Sequence, residues 1–168
     1  RLAHEAWHAY AESRLRPADG AGMPVWLDEG IAQVIESAPL EAGELRLDAA
    51  DQGRLAALQA ALASATVPPL AELLRAGPEQ FVAGHAGAAE ASGRAYLAAW
   101  GLAFDLAVME PVLTPASVAA LGRGPAEDAV GRFERLVGVP LERYEPQWRR
   151  RIGGLRAGGS GQPVSPAR

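Results

Sequence analysis

The sequence lacks cysteine, lysine and asparagine. Of these absences, that of cysteine excludes the largest number of possible sites. Without cysteine the chain has no disulfide scaffold, no thiolate ligand for zinc and no cysteine nucleophile. Acidic residues outnumber lysine plus arginine by 20 to 16, which gives a formal net charge of −4. That sign argues against a nucleic-acid partner, because proteins that bind phosphate backbones present a basic surface.

Long hydrophobic runs are also missing. No uninterrupted apolar segment approaches the roughly 18 residues that a bilayer-spanning helix needs, and no signal peptide is visible. Hydrophobic residues nevertheless make up 49% of the chain and charged residues 21%, as in an ordinary globular protein. This composition excludes wholesale disorder, and the length of 168 residues suffices for one domain.

Apolar residues recur at helical spacing along most of the chain, so we expect a mainly α fold. Helices are predicted over 1–16, 24–39, 51–63, 70–76, 93–109, 126–137 and 141–152. Residues 44–48 alternate polar and apolar side chains, which indicates a short strand or an extended arm, and small residues over 84–93 indicate a loop. Glycine, serine and proline dominate the end of the chain. The predicted organisation is therefore a helical domain over 1–153 and a disordered tail over 154–168.

One motif on the first predicted helix carries chemistry. His4-Glu5-Ala6-Trp7-His8 is an H-E-x-x-H pattern, and residues i and i+4 share one face of a helix, so both imidazoles can bind one zinc ion. Glu5 lies about 100° round the helix from His4, where its carboxylate can reach a metal-bound water instead of the metal. Zinc lowers the pKa of that water, and Glu5 can accept its proton as a general base while the water attacks a carbonyl. Such a site needs a third protein ligand and an open fourth position.

A second motif, Trp26-Leu27-Asp28-Glu29-Gly30, offers the third ligand. If a reversal of the chain makes its helix antiparallel to the first, Glu29 returns beside the two histidines. The pair H-E-x-x-H and W-L-x-E-G resembles the gluzincin metallopeptidases, the clan that contains thermolysin and the zinc aminopeptidases. The resemblance implies that Glu29, the residue before the glycine, is the third zinc ligand. Asp28 falls where the aminopeptidases often have asparagine.

The later part of the chain is similar to a bacterial peptidase-MA-like family of unknown function. That family follows its zinc motifs with a short L-x-x-L-L helix, a Y-x-x-x-W helix and a terminal helix ending in W-R, which match residues 70–74, 96–100 and 133–148. The resemblance covers residues 1–153 and implies a zinc-dependent peptidase that acts on a peptide or protein substrate, with an extracytoplasmic location favoured. Gluzincins place a sheet-bearing lobe before the zinc helix, whereas this chain opens at Arg1 inside a predicted helix. We therefore expect the helical zinc-binding half of such an enzyme, without its upstream lobe.

Further residues could assist the site, and each has a plain structural alternative. Several gluzincins stabilise the oxyanion of the tetrahedral intermediate with a tyrosine or a histidine, so the resemblance offers Tyr96 and His85. Tyr96 could equally lie at the edge of the core with its hydroxyl in water, and a lone loop histidine is more often merely solvated. Glu36 lies on the same helix face as Glu29 and could either orient a zinc-binding imidazole or be a surface residue. The arginines at 149–151 are interpreted as a solvated helix end that complements the helix dipole, in preference to a site for a substrate carboxylate.

Two other classes of function stay open beside the peptidase. A zinc-stabilised helical regulatory or scaffold domain would keep the metal without catalysis, but a structural site has no need of Glu5 and more often fills its fourth position with protein. A metal-free helical interaction module would leave His4, His8 and Glu29 at ligand spacing without a reason. The sequence does not determine the cleavage specificity, the choice between endo- and exopeptidase, or the oligomeric state.

Overall fold

The computed structural model describes residues 2–15, 22–81 and 86–156. Within these ranges the chain is mainly helical, which confirms the predicted fold class. The α-helices are α1 Leu2–Arg14, α2 Val25–Ser37, α3 Gln52–Ala63, α4 Leu70–Arg75, α5 Ala86–Phe104, α6 Pro115–Gly122, α7 Ala129–Val137 and α8 Leu141–Gly154. Short 3₁₀ turns lie at Pro78–Phe81 and Ala126–Asp128. No helix in the described ranges has the length and apolar character needed to cross a membrane.

The sheet content of the described ranges is one short antiparallel hairpin. Strand β1, Leu40–Glu41, pairs with β2, Glu44–Leu45, so that the leucines lie opposite each other. Ala42 and Gly43 form the turn with positive φ angles of 52° and 86°, as a tight hairpin turn requires. The extended segment predicted over 44–48 is thus in part a strand.

Three helix ends follow clear local signals in the sequence. The Asp51 side chain accepts a hydrogen bond from the Arg54 backbone N–H at 2.7 Å and caps α3. Thr114 and Ser117 form a reciprocal capping box at the start of α6. Helix α7 ends at Gly138, whose φ of 74° is the left-handed conformation that glycine adopts without strain.

The loop predicted over 84–93 is wrong from Ala86 onward, because α5 already begins there. Four of the residues from 86 to 91 are alanines, whose helix propensity outweighs the neighbouring glycine. The helix predicted over 93–109 does extend to Met109, but its last turn, Asp105–Met109, is π-helical, and the Glu110 N–H donates to the Asp105 carbonyl at 2.7 Å. Helix α6 is absent from the sequence prediction, since its first residue is a proline and another proline precedes it closely.

Two predictions fall partly or wholly on residues that the structure does not describe. Of the tail predicted over 154–168, Gly154 is the last residue of α8, and residues 157–168 lie outside the described ranges. His85 also lies outside them.

Helices α2 and α5 form the centre of the fold, and Gly30 sets their separation. A Cβ atom on Gly30 would lie 2.5 Å from the Ala99 carbonyl oxygen and 2.8 Å from the Ala103 Cβ. Only glycine permits this approach. The glycine of the W-L-x-E-G motif therefore has a packing role, and it holds the neighbouring Glu29 close to α5.

Aromatic side chains fill the core around these two helices. The largest fully buried side chains are Trp26, Trp100, Trp148 and Phe133. The ring of Phe133 packs edge-to-face against both Trp26, at 6.2 Å between centroids, and Tyr144, at 4.9 Å. These contacts join α2, α7 and α8 on one side of α5.

A buried ion pair ties α8 to the π-helical turn. Asp105 is fully buried and accepts hydrogen bonds from Arg151 Nε at 2.8 Å, Arg151 Nη2 at 2.5 Å and the Tyr144 hydroxyl at 2.6 Å. Arg149 pairs with a glutamate one turn earlier on α8. The prediction of a solvated arginine run is therefore wrong for Arg149 and Arg151, and only Arg150 is exposed.

Candidate functional site

The two histidines of the H-E-x-x-H motif lie on successive turns of α1, on the side that faces α2. Their ring centroids are 4.8 Å apart, and the rings meet edge-to-face. Both side chains are about three-quarters shielded from solvent, with exposed fractions of 19% for His4 and 28% for His8. The i, i+4 spacing thus places two imidazoles together at one helix–helix interface.

Glu29 on α2 completes the group. Its Oε2 atom lies 3.5 Å from His4 Nε2, and its Oε1 atom lies 3.9 Å from His8 Nε2. One ligand atom from each of the three residues can be chosen so that all lie within 4.8 Å of one another. The structure therefore brings together the three residues that the sequence analysis named as metal ligands.

One buried oxygen atom of this group has no hydrogen-bond donor among the described residues. Glu29 Oε2 is buried and accepts no hydrogen bond from the part of the chain that the structure describes. Leaving a buried acceptor unpaired costs about 1–3 kcal/mol, and more when the group is charged. Two imidazole nitrogens and a carboxylate oxygen form a donor set that zinc takes in proteins, so these residues could hold that metal.

The second nitrogen of each imidazole faces another carboxylate. His4 Nδ1 lies 3.5 Å from Glu36 Oε2, and His8 Nδ1 lies 3.1 Å from Asp28 Oδ2. A proton on each Nδ1 is attracted by these carboxylates, which leaves the lone pairs on the two Nε2 atoms directed toward Glu29. Glu36 is therefore placed as its orienting role requires, whereas sequence reasoning did not find the contact between Asp28 and His8.

A network of polar side chains holds Glu36 and the α2 backbone. Arg54 on α3 donates from Nη2 to Glu36 Oε2 at 3.3 Å and from Nη1 to Gln33 Oε1 at 2.8 Å. Gln33 is buried, and its amide nitrogen donates to the backbone carbonyls of Glu29 and Tyr96 at 3.2 Å each. Neither Arg54 nor Gln33 belongs to a sequence motif, so the sequence offered no signal for them.

A cleft of about 280 Å³ opens beside the group. The residues that line it are His4, Glu5, Gln33, Glu36, Arg54 and Tyr96. Glu5 is exposed, and within the described ranges no hydrogen bond or ion pair is found for it. Its carboxylate is thus available to a molecule that enters the cleft.

Tyr96 reaches the same cleft from α5. Its ring is half-buried and packs edge-to-face on Phe81, with 5.1 Å between centroids. Burial, followed by the negative charge of Glu29, raises the pKa of the Tyr96 phenol above its ordinary value. The hydroxyl therefore stays protonated at neutral pH and can donate a hydrogen bond.

Comparison with known proteins adds no family to this description. No protein-family model, no curated protein and no solved structure matches the chain. The geometry of the cleft and the chemistry of its side chains are therefore the basis for assigning a function.

Proposed function

We propose that His4, His8 and Glu29 bind one zinc ion and that the protein is a zinc-dependent peptidase of gluzincin type. The observation that carries the proposal is the buried Oε2 atom of Glu29, which accepts no hydrogen bond from the described residues and lies 3.5 Å from His4 Nε2, while His8 Nε2 lies 3.9 Å from the other oxygen of the same carboxylate. A cation between these atoms would compensate the buried carboxylate charge. The carboxylates at the far side of each imidazole support the same interpretation, because ligand histidines usually donate their second N–H to such a partner.

An open coordination position favours a catalytic over a structural zinc site. Among the described residues, no fourth histidine, aspartate or glutamate joins the three. The group borders a cleft instead of being closed by protein. A zinc ion bound here supplies Lewis acidity, which lowers the pKa of water and polarises a carbonyl oxygen.

Glu5 acts as the general base in this proposal. Its carboxylate accepts a proton from the water molecule whose oxygen attacks the carbonyl carbon of the peptide. Glu5 then delivers that proton to the amide nitrogen as the C–N bond breaks, and the products are a carboxylic acid and an amine. The exposed position of Glu5 on the cleft, without an ion-pair partner in the described ranges, suits a group that must gain and lose a proton.

Tyr96 stabilises the negative charge that develops on the carbonyl oxygen. A protonated phenol at the edge of a partly dry cleft is an effective hydrogen-bond donor to such an oxyanion. A tyrosine hydroxyl is already protonated over the neutral range, and the raised pKa of Tyr96 extends this to higher pH. The edge-to-face contact with Phe81 holds the ring in place while the hydroxyl acts.

Metal binding and hydrolysis test the proposal on one preparation. We expect one zinc per chain by elemental analysis, and cleavage of a mixture of quenched fluorogenic peptides that a chelator stops. Glu5→Gln should lower the cleavage rate by about 10²- to 10⁴-fold and keep the zinc, because the amide cannot accept the proton. Glu12→Gln, which changes an exposed glutamate on the same helix, should leave both unchanged.

The outcomes separate the possible functions. Purified protein without stoichiometric zinc contradicts the metal site itself. Firmly bound zinc without cleavage favours the alternative function, a zinc-stabilised regulatory or scaffold domain. Loss of zinc from Glu5→Gln would show that Glu5 is a ligand or a structural support instead of the base.

A further inference from the structure

A row of hydrogen bonds runs from an indole to one of the metal-ligand histidines. Trp7 Nε1 donates to Asp28 Oδ1 at 2.8 Å, and Asp28 Oδ2 lies 3.1 Å from His8 Nδ1. Both carboxylate oxygens of Asp28 are thus engaged, each by a different residue of α1. Trp7 is one of the two variable positions of the H-E-x-x-H motif, for which the motif itself specifies no role.

The two histidines are supported in electrostatically different ways. The carboxylate behind His4 belongs to Glu36 and is paired with the Arg54 guanidinium, which offsets its charge. The carboxylate behind His8 belongs to Asp28, and its second partner is the neutral Trp7 indole. Among the described residues, no arginine pairs with Asp28, so its negative charge stays directed at His8 while the indole N–H fixes its orientation.

We propose that Trp7 is a positioning residue of the metal site, which fixes Asp28 so that His8 presents its Nε2 lone pair to the ion. This inference rests on the proposed zinc site. Asp28 has an exposed side-chain fraction of 30%, so without the indole its carboxylate can turn toward water. His8 would then lose the acceptor that sets its tautomer and its ring orientation, and partners of this kind typically account for about 10- to 100-fold in metal affinity.

Replacing Trp7 by phenylalanine tests the inference, because a smaller aromatic ring takes the place of the indole and the N–H donor to Asp28 is lost. We expect Trp7→Phe to bind zinc about tenfold more weakly in competition with a chromophoric chelator. The visible absorption bands of the cobalt-substituted protein should also shift, since they report the geometry around the ion and a loss of general stability would not move them. Tyr10→Phe is the matched control: it alters an exposed aromatic residue one turn along α1 and should change neither readout.

A second variant shows whether Trp7 acts through Asp28. In Asp28→Asn one of the two carboxylate oxygens becomes an NH2 donor, so the indole, which binds Oδ1, and the imidazole, which faces Oδ2, cannot both keep an acceptor in place. Asp28→Asn alone should therefore weaken zinc binding. In that background, Trp7→Phe should add much less than its tenfold effect, because the two residues form one unit.

The results distinguish this inference from the proposed function. If the unchanged protein binds no zinc, both fail. If it binds zinc while Trp7→Phe has the same affinity and the same cobalt spectrum, the positioning role of Trp7 is wrong and the metal site stands. Fully additive effects of Trp7→Phe and Asp28→Asn would also overturn the role, because Trp7 would then act by another route.

Discussion

His4 Nε2 lies 3.5 Å from an oxygen of Glu29 that is buried and accepts no hydrogen bond from the described residues. Folding therefore leaves one oxygen of this carboxylate without a hydrogen bond, at a free-energy cost of about 1–3 kcal/mol. Residues at functional sites often carry such a cost, because the missing partner arrives from outside. The position of this Glu29 oxygen therefore leads to one prediction about protein stability and one about zinc binding.

Glu29→Gln should separate these two effects. The amide removes the buried charge, so we expect the metal-free variant to be as stable as the unchanged protein or about 1 kcal/mol more stable. Excess zinc should raise the melting temperature of the unchanged protein through mass action and leave that of Glu29→Gln almost unaltered. Thermal unfolding with zinc and with a chelator measures both, with Glu142→Gln on the exposed face of α8 as the control. If zinc raises the melting temperature of Glu29→Gln as much as that of the unchanged protein, Glu29 is not a metal ligand.

Tyr96→Phe should affect the reaction and spare the metal. The phenyl ring can keep its packing on Phe81, whereas the hydrogen-bond donor to the oxyanion is lost. Removing such a donor lowers kcat by about 10²- to 10³-fold in enzymes that depend on it, and we expect a loss in that range with unchanged zinc affinity. Steady-state kinetics and zinc competition on the same protein provide the measurement. A rate within twofold of the unchanged protein would leave Tyr96 as a residue of the core edge.

The convergence of His4, His8 and Glu29 was predictable from two kinds of information. Helical periodicity places His4 and His8 on one face, whereas Glu29 was chosen from the resemblance of its motif to the gluzincins, with a turn-rich segment that allows α2 to return beside α1. The partners of these residues were not predictable in the same way. The contact between Trp7 and Asp28 depends on how α1 and α2 are rotated about their own axes, which no short motif specifies.

The fold shows the same division between local and distant information. The capping residue Asp51 marks the start of α3 in the sequence itself. The burial of Asp105 depends on Arg151, 46 residues later, and a single-sequence reading cannot pair two such residues. The start of α5 at Ala86 was missed for another reason: glycines beside alanines give opposite local signals, and here the helix propensity of the alanines outweighs that of the glycine.

Gly30→Ala should destabilise the protein and weaken zinc binding together. The added methyl group would lie 2.5 Å from the Ala99 carbonyl oxygen, which forces α2 away from α5 and shifts Glu29 with it. Overpacking of this kind costs about 1–3 kcal/mol. Gly53→Ala is the matched control, since its new methyl group would meet its nearest atom at 3.5 Å and alanine favours an exposed helix position. Urea unfolding should show opposite signs for the two variants, and equal signs would refute the packing argument.

Arg151→Met should destabilise the protein, because it breaks the buried ion pair with Asp105. It leaves the fully buried Asp105 carboxylate with the Tyr144 hydroxyl as its remaining partner. Because the Arg151 side chain is one-quarter exposed, we expect a loss of about 2–4 kcal/mol, below the full cost of an uncompensated buried charge. Arg150→Met, at the exposed neighbouring position, should change the free energy of unfolding by less than about 0.5 kcal/mol. Similar losses of unfolding free energy in Arg151→Met and Arg150→Met would contradict a buried ion pair between Arg151 and Asp105.

Tyr144 should make stability depend on alkaline pH. Burial, followed by the negative charge of Asp105, raises the pKa of the Tyr144 phenol far above its ordinary value. In the unfolded chain a tyrosine ionises near pH 10, so above about pH 10 the unfolded state releases a proton that the folded state keeps.

The contribution of Tyr144 is therefore complete below about pH 10 and is lost as the pH rises, at about 1.4 kcal/mol per pH unit. Tyr144→Phe removes this titrating group. The variant should be less stable than the unchanged protein at pH 8, because the 2.6 Å hydrogen bond to Asp105 is gone, and the gap should narrow between pH 10 and 11.5. Urea unfolding at these pH values gives the free energies. If the two curves run parallel to pH 11.5, the Tyr144 proton is not held by the folded state and the buried cluster at Asp105 is described wrongly.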